Sequence, residues 1–518
     1  TEFNSQADIA NKGSYEERNT QNLNYDGDFS LTYGKLFNEK HMVNVVGGMR
    51  LSQNGSNNSA YKVQGFIDDE FSNPAFALGY QKDGNATYQD SKKRAVSYYL
   101  NFGYAYDDRY LLDVNYRSDG SSVFGSDRQF TNTWSVGLGW NIHKEAFFSD
   151  IEGISLLKLR ASIGNPGNQN FDDYISTRIY SYNTDNMNIF GSSAIVSNLG
   201  NRNLEWQKTL DRNIGFDIIF LDNRLRVNFD YFNKRTDPLL VQIGTASSTG
   251  VKTLPRNVGK QITEGITLTM NYSIIRREDM FWSVNMNLRH QTSEYKEVSE
   301  VLTKYNLDNR NRNLTRYYDG GSPSDLWAVR SCGIDPATGR EIFLDKNGEQ
   351  TFVHNYDDEV VVGNSDPKVE GVIGTSFYYK GFSASINLRY RLGGQIFMQT
   401  LYDKVENLSS SKKWENLDKR ALYDRWKQPG DQAKFKSIAS SEVTPISSRF
   451  VEDNNVLSGE SISLGYESTA PWLKHIGASS MSVRAYMNDI FRISTVKNER
   501  GLSYPFARSV SFSLGVTF

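Results

Sequence analysis

The sequence is poor in the residues that build disulfide frameworks, metal sites and catalytic centres. It has one cysteine among 518 residues, and this lone thiol, Cys332, excludes an internal disulfide framework. The five histidines are scattered without the spacing of metal ligands, at His41, His143, His290, His354 and His475. Neither an HExxH nor a GxSxG motif occurs, and no pattern pairs the carboxylates. We therefore expect no enzymatic activity, no catalytic or metal-binding residue and no cofactor.

Long hydrophobic runs and a strong charge imbalance are also absent. No run of about 18 apolar residues occurs, so the sequence offers no candidate transmembrane helix. The net charge is -2 and the mean hydropathy is -0.56, so we expect no surface that binds nucleic acid. The segment Thr1–Ala10 has neither the charged nor the apolar region of a signal peptide. Either such a signal has been removed, or the chain begins inside a longer one.

What the sequence does have is alternation of apolar and polar residues with a period of two. In Phe382–Leu392 the odd positions are polar and the even ones apolar. The same pattern recurs in the apolar rows Val96 to Tyr106, Leu157 to Ile163, Leu225 to Tyr231, Ile266 to Tyr272 and Trp282 to Leu288. Successive side chains of a strand point to opposite faces, so each segment predicts a strand with one apolar and one polar face.

The length and spacing of these segments favour a membrane barrel. Each spans roughly 9–12 residues, as a tilted strand needs to cross a bilayer, and aromatic residues gather near the segment ends. Tight turns such as Tyr106–Arg109 alternate with long polar insertions. We expect roughly 15–17 strands by this periodicity. We also expect one barrel unit over 1–518, with long extracellular loops at about 54–87, 295–325 and 399–450.

A soluble sandwich or propeller is the alternative all-β interpretation. Its strands would alternate as well, but their polar faces would carry mostly Lys and Glu. Here the polar faces are mostly Ser, Asn, Thr, Gly and Arg. The fold class we predict is therefore an all-β, transmembrane antiparallel β-barrel.

The last strand has a pattern of its own. Its apolar row ends on the final residue of the chain and consists of Val510, Phe512, Leu514, Val516 and Phe518. A last strand that ends on a terminal Phe resembles the signal recognised during assembly of outer-membrane barrels. An ordinary last strand is the alternative.

Several motifs in a shared order extend the resemblance to a family. They are YRSDGSSVFG at 116–125, LRASIGNPGNQ at 159–169, LEWQKTLDRNIGFD at 204–217, GNSDP at 363–367, YRLGGQIF at 390–397, DRWKQPGDQAKF at 424–435 and YPFARSVSFSLGVTF at 504–518. Together they resemble the SusC/RagA group of TonB-dependent outer-membrane transporters, over almost the whole chain.

The resemblance implies the C-terminal part of a 22-strand barrel, with the plug domain outside this chain. It further implies active import of oligosaccharides or peptides in the bacterial outer membrane. TonB would act through the missing N-terminal part, and a SusD-like lipoprotein would cover the extracellular face. Strands from the same or another chain would complete the wall against lipid. A passive porin of about 16–18 strands is the alternative.

Two sets of residues are candidates for contact with a solute. Four arginines on polar strand faces would line the lumen, unless they pair with neighbouring strands or the plug, namely Arg160, Arg289, Arg389 and Arg391. Five loop aromatics would contact a ligand or the lid, unless they anchor the loops, namely Tyr317, Tyr318, Trp327, Trp414 and Trp426. A faint calcium-loop pattern at Asp345–Gly348 is better explained by a hairpin turn.

Overall fold

The computed structural model describes residues 12–66, 70, 73–81, 84–122, 129–148, 151–168, 178–189, 191–201, 203–205, 207–245, 247–251, 253–298, 300–408, 417–497 and 507–518. Within them the dominant element is one antiparallel sheet of seventeen strands, of which Ala77–Tyr80 and Gly167–Asn168 are short. The other fifteen, the wall strands, are β1 (Ser14–Phe37), β2 (His41–Phe66), β3 (Thr87–Tyr106), β4 (Tyr110–Ser121), β5 (Phe130–Asn141), β6 (Ile154–Asn165), β7 (Gln207–Phe220), β8 (Leu225–Thr236), β9 (Lys260–Arg276), β10 (Met280–Lys296), β11 (Val369–Tyr379), β12 (Phe382–Phe397), β13 (Val451–Ser468), β14 (Ser480–Ser494) and β15 (Val510–Thr517). The predicted fold class and strand number are confirmed.

Each wall strand pairs with its neighbours in the sequence. The pairing runs without interruption from β1 and β2 to β14 and β15. Among the described residues, β1 pairs only with β2, and β15 pairs only with β14. The wall is therefore a portion of a barrel with two free edges.

Most connections at one end of the wall are shorter than those at the other end. At one end are tight turns, where the chain reverses with positive φ at Asp107 (52°) and Asp108 (51°), a conformation that aspartate tolerates and that matches the twist of a hairpin. At the other end are the insertions at 67–86, 122–129, 166–206, 237–259, 297–368, 398–450 and 495–509. Short turns on one side and long loops on the other are typical of outer-membrane barrels, so the long-loop end is the extracellular one.

The apolar and polar rows keep to opposite faces of the wall because paired residues share a face. Phe382 of β12 lies opposite Tyr466 of β13, and their ring centroids are 4.5 Å apart. Large apolar side chains of this outer face are exposed in the absence of lipid, and Phe29, Leu31 and Leu464 are between 55% and 72% exposed. The wall thus has an apolar outer face for lipid and a polar inner face.

The three expected loops need two corrections. The loop expected at 54–87 is wrong in its first part, because residues 54–66 continue β2, of which 54–64 pair with β1 and 54–60 pair with β3. Where a strand extends beyond the bilayer, both of its faces contact water. Its sequence then lacks the alternation of apolar and polar residues, and this segment was therefore predicted to be a loop. The loop expected at 295–325 is too short, because β10 ends at Lys296 and the next wall strand begins only at Val369. The third loop, expected at 399–450, matches the insertion at 398–450.

The two largest insertions, 297–368 and 398–450, carry 12 of the 25 buried apolar residues in the described part of the chain. The first contains a helix, α1 (Glu300–Asp308), and a four-stranded sheet in the order Gln350–Thr351, Glu341–Leu344, Asp325–Ile334, Glu359–Asn364. The second contains a π-helical turn at Leu401–Glu406 and short 3-10 turns at Lys419–Leu422 and Ser448–Phe450. Buried residues form two clusters: Leu314, Ala328 and Ile446 join the two insertions, and Val405, Phe435 and Phe450 form a cluster within the second. We call the pair of insertions the extracellular unit.

Candidate functional site

The inner face of the wall is a continuous polar surface. A cavity of about 880 Å³ lies along it from β1 to β9. Charged and aromatic residues line it, among them Asp28, Arg50, Tyr99, Arg117, Asp211 and Lys234. Alternation marks the polar position of each residue, but alternation alone does not show which residues meet across strands. These six residues therefore could not be selected from the sequence alone.

Arg160 is at the centre of an ion network on this face. Its guanidinium donates two hydrogen bonds of 2.8 Å to the carboxylate of Asp217 and lies 3.1 Å from the carboxylate of Asp230. Asn228 donates a further hydrogen bond of 2.6 Å to Asp217. Arg160 is thus on the predicted lumenal face, and the carboxylates of Asp217 in β7 and Asp230 in β8 neutralise its charge.

The other three candidate arginines belong to β10 and β12. Arg391 lies 3.4 Å from Glu370, and Arg389 lies 3.2 Å from Glu460. Glu370 is the cross-strand partner of both Arg289 and Arg391, so a carboxylate stands between two cations on one row. Three of the four arginines therefore form ion pairs with neighbouring strands.

Arg289 differs from the other three. Among the described residues no carboxylate lies within ion-pair distance of its guanidinium, which donates a hydrogen bond of 2.5 Å to Gln291. The guanidinium also lies over the ring of Phe232, at 5.8 Å from the ring centroid. A lumenal role for all four residues stays a prediction, and Arg289 is the one that forms no ion pair among the described residues.

Three of the five candidate aromatics pack within the extracellular unit. The ring of Tyr317 lies 5.0 Å from that of Tyr295 and 5.3 Å from that of Tyr305. Burial raises the pKa of Tyr317. Trp327 packs on Tyr318 with the ring centroids 4.8 Å apart. These contacts favour loop anchoring for Tyr317 and Trp327, whereas Tyr318 is 41% exposed.

The remaining two aromatics come from the second insertion. Trp426 donates a hydrogen bond of 2.9 Å to the carbonyl of Pro336 and packs against Gly339, which links the two insertions. A Cβ at Gly339 would lie only 2.5 Å from the indole. Trp414 lies outside the described residues. Contact of either tryptophan with a ligand stays a prediction.

A buried ion cluster holds the extracellular unit together. Arg449, 11% exposed, donates hydrogen bonds of 2.8 Å to Glu341 of the first insertion and 2.7 Å to Glu406 of the second. Although burial acts in the opposite direction, these carboxylates raise the pKa of Arg449. Thr444 and Ser447 donate to Glu406 and Glu341 respectively, at 2.8 and 2.6 Å. Sequence reasoning missed this cluster because its charged members, Glu341, Glu406 and Arg449, are more than 40 residues apart and follow no period.

A second titratable group lies at the seam between the insertions. The ring of His354 packs edge-on against Phe343 and Tyr356, and its Nε2 lies 3.3 Å from the carbonyl oxygen of Ile446. Burial lowers the pKa of His354. The negative charges of nearby carboxylates, Glu341 among them, act in the opposite direction.

The described part of the chain has neither a metal-binding cluster nor a membrane-spanning helix. It contains no group of three or more His, Cys, Asp or Glu residues able to hold a metal ion. The predicted hairpin around Asp345–Gly348 is confirmed, with Leu344 paired to Gln350 and the Asp345 carboxylate accepting from two backbone N–H groups. No helix in these described ranges is long and apolar enough to cross a membrane.

The C-terminal row lies on the outer face of the wall edge. Paired residues place Phe512 opposite Ala485 and Leu514 opposite Val483. The side chains of the row are largely exposed, from 38% at Val516 to 84% at Phe518. This placement fits lipid contact, and the role of the row as an assembly signal stays a prediction.

Comparison with known proteins gives a consistent family. A sequence model described as the β-barrel of TonB-dependent receptor-like proteins matches residues 1–408. A TonB-dependent receptor of Formosa agariphila is 26% identical over 540 residues, which cover 95% of this chain and 51% of that protein. The TonB-dependent receptor SusC of Bacteroides thetaiotaomicron is 25% identical over 82% of this chain and 44% of its own length. The chain thus spans about half the length of these relatives.

A solved structure agrees on the fold. The RagAB peptide transporter superposes with a TM-score of 0.82 at 19% identity, over 94% of this chain and 53% of that one. The family model covers most of the chain, and it describes the barrel of a receptor rather than an enzyme. The chain therefore belongs to the TonB-dependent receptor family and forms part of a β-barrel in the bacterial outer membrane.

Proposed function

We propose that the full-length protein imports an oligosaccharide or a peptide across the outer membrane in a TonB-dependent manner, and that this chain supplies most of its wall and extracellular loops. The observation that carries the proposal is the continuous polar inner face, with its cavity of about 880 Å³, in a wall whose outer face is apolar. A polar surface of this size in a membrane protein serves water and solutes rather than lipid. The family of the chain supports energised import.

The two free edges support a second part of the proposal. The N–H and C=O groups on the outer sides of β1 and β15 have no partner strand among the described residues. Lipid offers no hydrogen bonds, so an open edge is costly in a bilayer. We propose that further strands of the full-length protein pair with β1 and β15, together with a plug that occupies the lumen. Further strands and a plug are tested by measuring the intact mass of the protein purified from outer membranes. The masses of all chains that co-purify with it are measured as well. A chain that folds in lipid with no further strand contradicts it.

The extracellular unit supports a third part of the proposal, which concerns a partner protein on the outer surface. Its two insertions share one apolar cluster and an ion cluster, so they present a folded surface above the wall. We propose that a SusD-like lipoprotein covers this surface. The test of this proposal is a pull-down of the full-length protein in mild detergent. The comparison is a variant that lacks both 297–368 and 398–450. Retention of the same lipoprotein by the deletion variant would contradict this part.

The energy source is tested by uptake. Cells with and without the full-length gene would be given labelled oligosaccharide or peptide mixtures, each with TonB present or depleted. Import that disappears on TonB depletion supports the proposal. Unchanged import, together with single-channel conductance of the purified protein in planar bilayers, would instead favour a passive porin.

A further inference from the structure

A groove on the outer face of the wall lies near the extracellular edge of its lipid-facing surface. Its volume is about 790 Å³. One row of paired residues from β1 to β5 forms its floor, namely Gly27, Leu51, Val96, Gly120 and Phe130. Directly paired residues share a face, and Gly27 shares its face of β1 with Phe29 and Leu31 of the apolar outer row. The groove is therefore separate from the polar inner face.

Two glycines shape this groove. At Gly27 a Cβ would meet nothing within 4 Å, so the floor is open there. At Gly120 a Cβ would lie only 2.7 Å from the ring of Phe130, so this ring lies over the backbone of β4. Leu51 and Phe130 are 50% and 56% exposed. The groove is thus an apolar recess, bordered by Tyr25 on β1 and by Phe130 on β5, and it suits a hydrocarbon chain.

The position of the groove along the strands places it at the boundary between hydrocarbon and lipid headgroups. Gly27 lies about 11 residues from Phe37 at the tight-turn end of β1, which is the length that a tilted strand needs to cross the hydrocarbon. At the level of Gly27 the outer row of β3 changes from apolar, at Val96, to basic, at Arg94 and Lys92. The recess is therefore at the depth of the outer leaflet, with two cations above it at headgroup level.

Arg94 is the cation that lines the groove. Its Nε donates a hydrogen bond of 2.9 Å to the side chain of Gln53, its cross-strand partner on β2. Among the described residues no carboxylate lies within 4 Å of its guanidinium. The terminal nitrogens of Arg94 are therefore available to an anionic group at headgroup level.

The acidic residues of this region do not neutralise Arg94. Asp26 also lines the groove, but its side chain belongs to the inner face, where it accepts a hydrogen bond of 3.0 Å from Arg50. Asp90 is on the outer row of β3, but it lies four residues beyond Arg94, about 13 Å along the strand. Lys92 stands between them on the same row. The outer face next to the recess therefore carries net positive charge.

We propose that this groove binds a phosphorylated glycolipid of the outer leaflet, with an acyl chain in the recess over Gly27 and a phosphate on Arg94 and Lys92. A guanidinium matches a phosphate in bidentate geometry, and basic groups at headgroup level select anionic lipids. In the outer leaflet of this membrane the phosphate is carried by a glycolipid. Strands that pair with the free edge of β1 would extend the sheet in its own plane and leave the groove open to lipid. The inference requires a barrel in the outer membrane and does not rest on the proposed import.

The test is native mass spectrometry of the purified full-length protein in detergent, titrated with lipid A and with the same lipid A after removal of its phosphates. We expect the phosphorylated form to bind at least about tenfold more tightly, since charge-assisted hydrogen bonds are the strong ones. The variant Lys92→Gln/Arg94→Gln should lose this preference, and Lys92→Arg/Arg94→Lys should keep most of it. Lys35→Gln is the matched control, because Lys35 is on the same outer face of β1 but near its tight-turn end.

A second variant tests the recess. Gly27→Leu places its side chain in open space, so the barrel should still show heat-modifiability on gels. Both forms of lipid A should then bind at least about tenfold more weakly, because the side chain takes the place of the acyl chain. Gly79→Leu is the control, since a Cβ at Gly79 also meets nothing within 4 Å and Gly79 does not line the groove.

Equal affinity for the two forms of lipid A overturns the proposal, and so does unchanged binding by Gly27→Leu. Binding of phosphatidylglycerol as tight as that of lipid A overturns the choice of a glycolipid. Because these measurements involve no uptake, their outcomes are independent of TonB depletion, which tests import.

Discussion

The guanidinium of Arg160 and the carboxylate of Asp230 lie 3.1 Å apart although β7 runs between their strands. The residue of β7 between them is Gly215, paired with Arg160 on one side and with Asp230 on the other. Only a residue without a side chain leaves room for this contact. Tyr99 reaches across Gly48 in the same way and donates a hydrogen bond of 2.9 Å to Asp28.

The first prediction concerns the space above Gly215. A Cβ there would lie 2.3 Å from Oδ1 of Asp230 and 2.6 Å from the carbonyl oxygen of Phe229. Gly215→Ala should therefore displace the Asp230 carboxylate and lower the free energy of unfolding by about 1–3 kcal/mol, as overpacking does elsewhere. Heat-modifiability of the barrel on gels, measured against temperature, reads this out. Gly137→Ala is the control, because its Cβ would meet nothing closer than 3.8 Å. Equal loss in both variants would contradict the argument.

The second prediction concerns the buried ion cluster. Arg449→Met leaves the carboxylates of Glu341 and Glu406 buried without their cation, which typically costs about 3–5 kcal/mol. We expect the insertions to become sensitive to limited proteolysis while the wall remains folded. Arg310→Gln is the control, since Arg310 pairs with Asp357, whose side chain is 67% exposed, and such pairs contribute about 0–1 kcal/mol. Protease resistance equal to that of the unaltered protein would show that the cluster does not hold the unit.

The third prediction is a pH dependence of the extracellular unit. Burial lowers the pKa of His354 below its ordinary value of 6.5, so the unfolded segment takes up a proton at a higher pH than the folded one. The stabilisation by neutral His354 is therefore present above pH 6.5 and is lost as the pH falls from there through the lowered pKa. Limited proteolysis at pH 7.5 and 5.5 should show faster cleavage of the unit at the lower pH.

His354→Gln, which is neutral at both values of pH, should reduce this difference. His475→Gln, at an exposed position on the tight-turn end of the wall, should leave the difference unchanged. If the His354 variant keeps the full pH effect, a group other than His354 is responsible.

The fourth prediction concerns the last strand. Phe518→Ser removes the terminal aromatic from the outer row, and we expect a smaller fraction of the protein to reach the folded, heat-modifiable state in the outer membrane. Ser513→Ala, on the other face of the same strand, is the matched control. Assembly yields that are equal in the two variants would count against a special role for the terminal residue.

The wall was predictable because one local rule governs it. In Phe382–Leu392 lipid contact on one side and water on the other impose alternation that needs no knowledge of neighbouring strands. The strand Asp325–Ile334 follows no such rule, since both of its faces are covered within the extracellular unit. Without a lipid-facing row, its place in a separate small sheet could not be predicted.

The candidate site was predictable in its composition but not in its contacts. Alternation put Arg160, Arg289, Arg389 and Arg391 on polar faces. Which of them meet a carboxylate depends on the register between strands, and register is set by pairing over the whole wall. The position of Gly215 opposite Arg160 is a consequence of that register.

The ion cluster also bears on how the insertions are inherited. The insertion 297–368 leaves the wall at β10 and returns at the adjacent β11, so its replacement by a relative's insertion would not disturb the register. The same holds for 398–450 between β12 and β13. Arg449 of one insertion, however, neutralises Glu341 of the other. The two insertions are therefore coupled through this ion pair. Recombination within this family should favour chimaeras that exchange both insertions together over chimaeras that exchange only one.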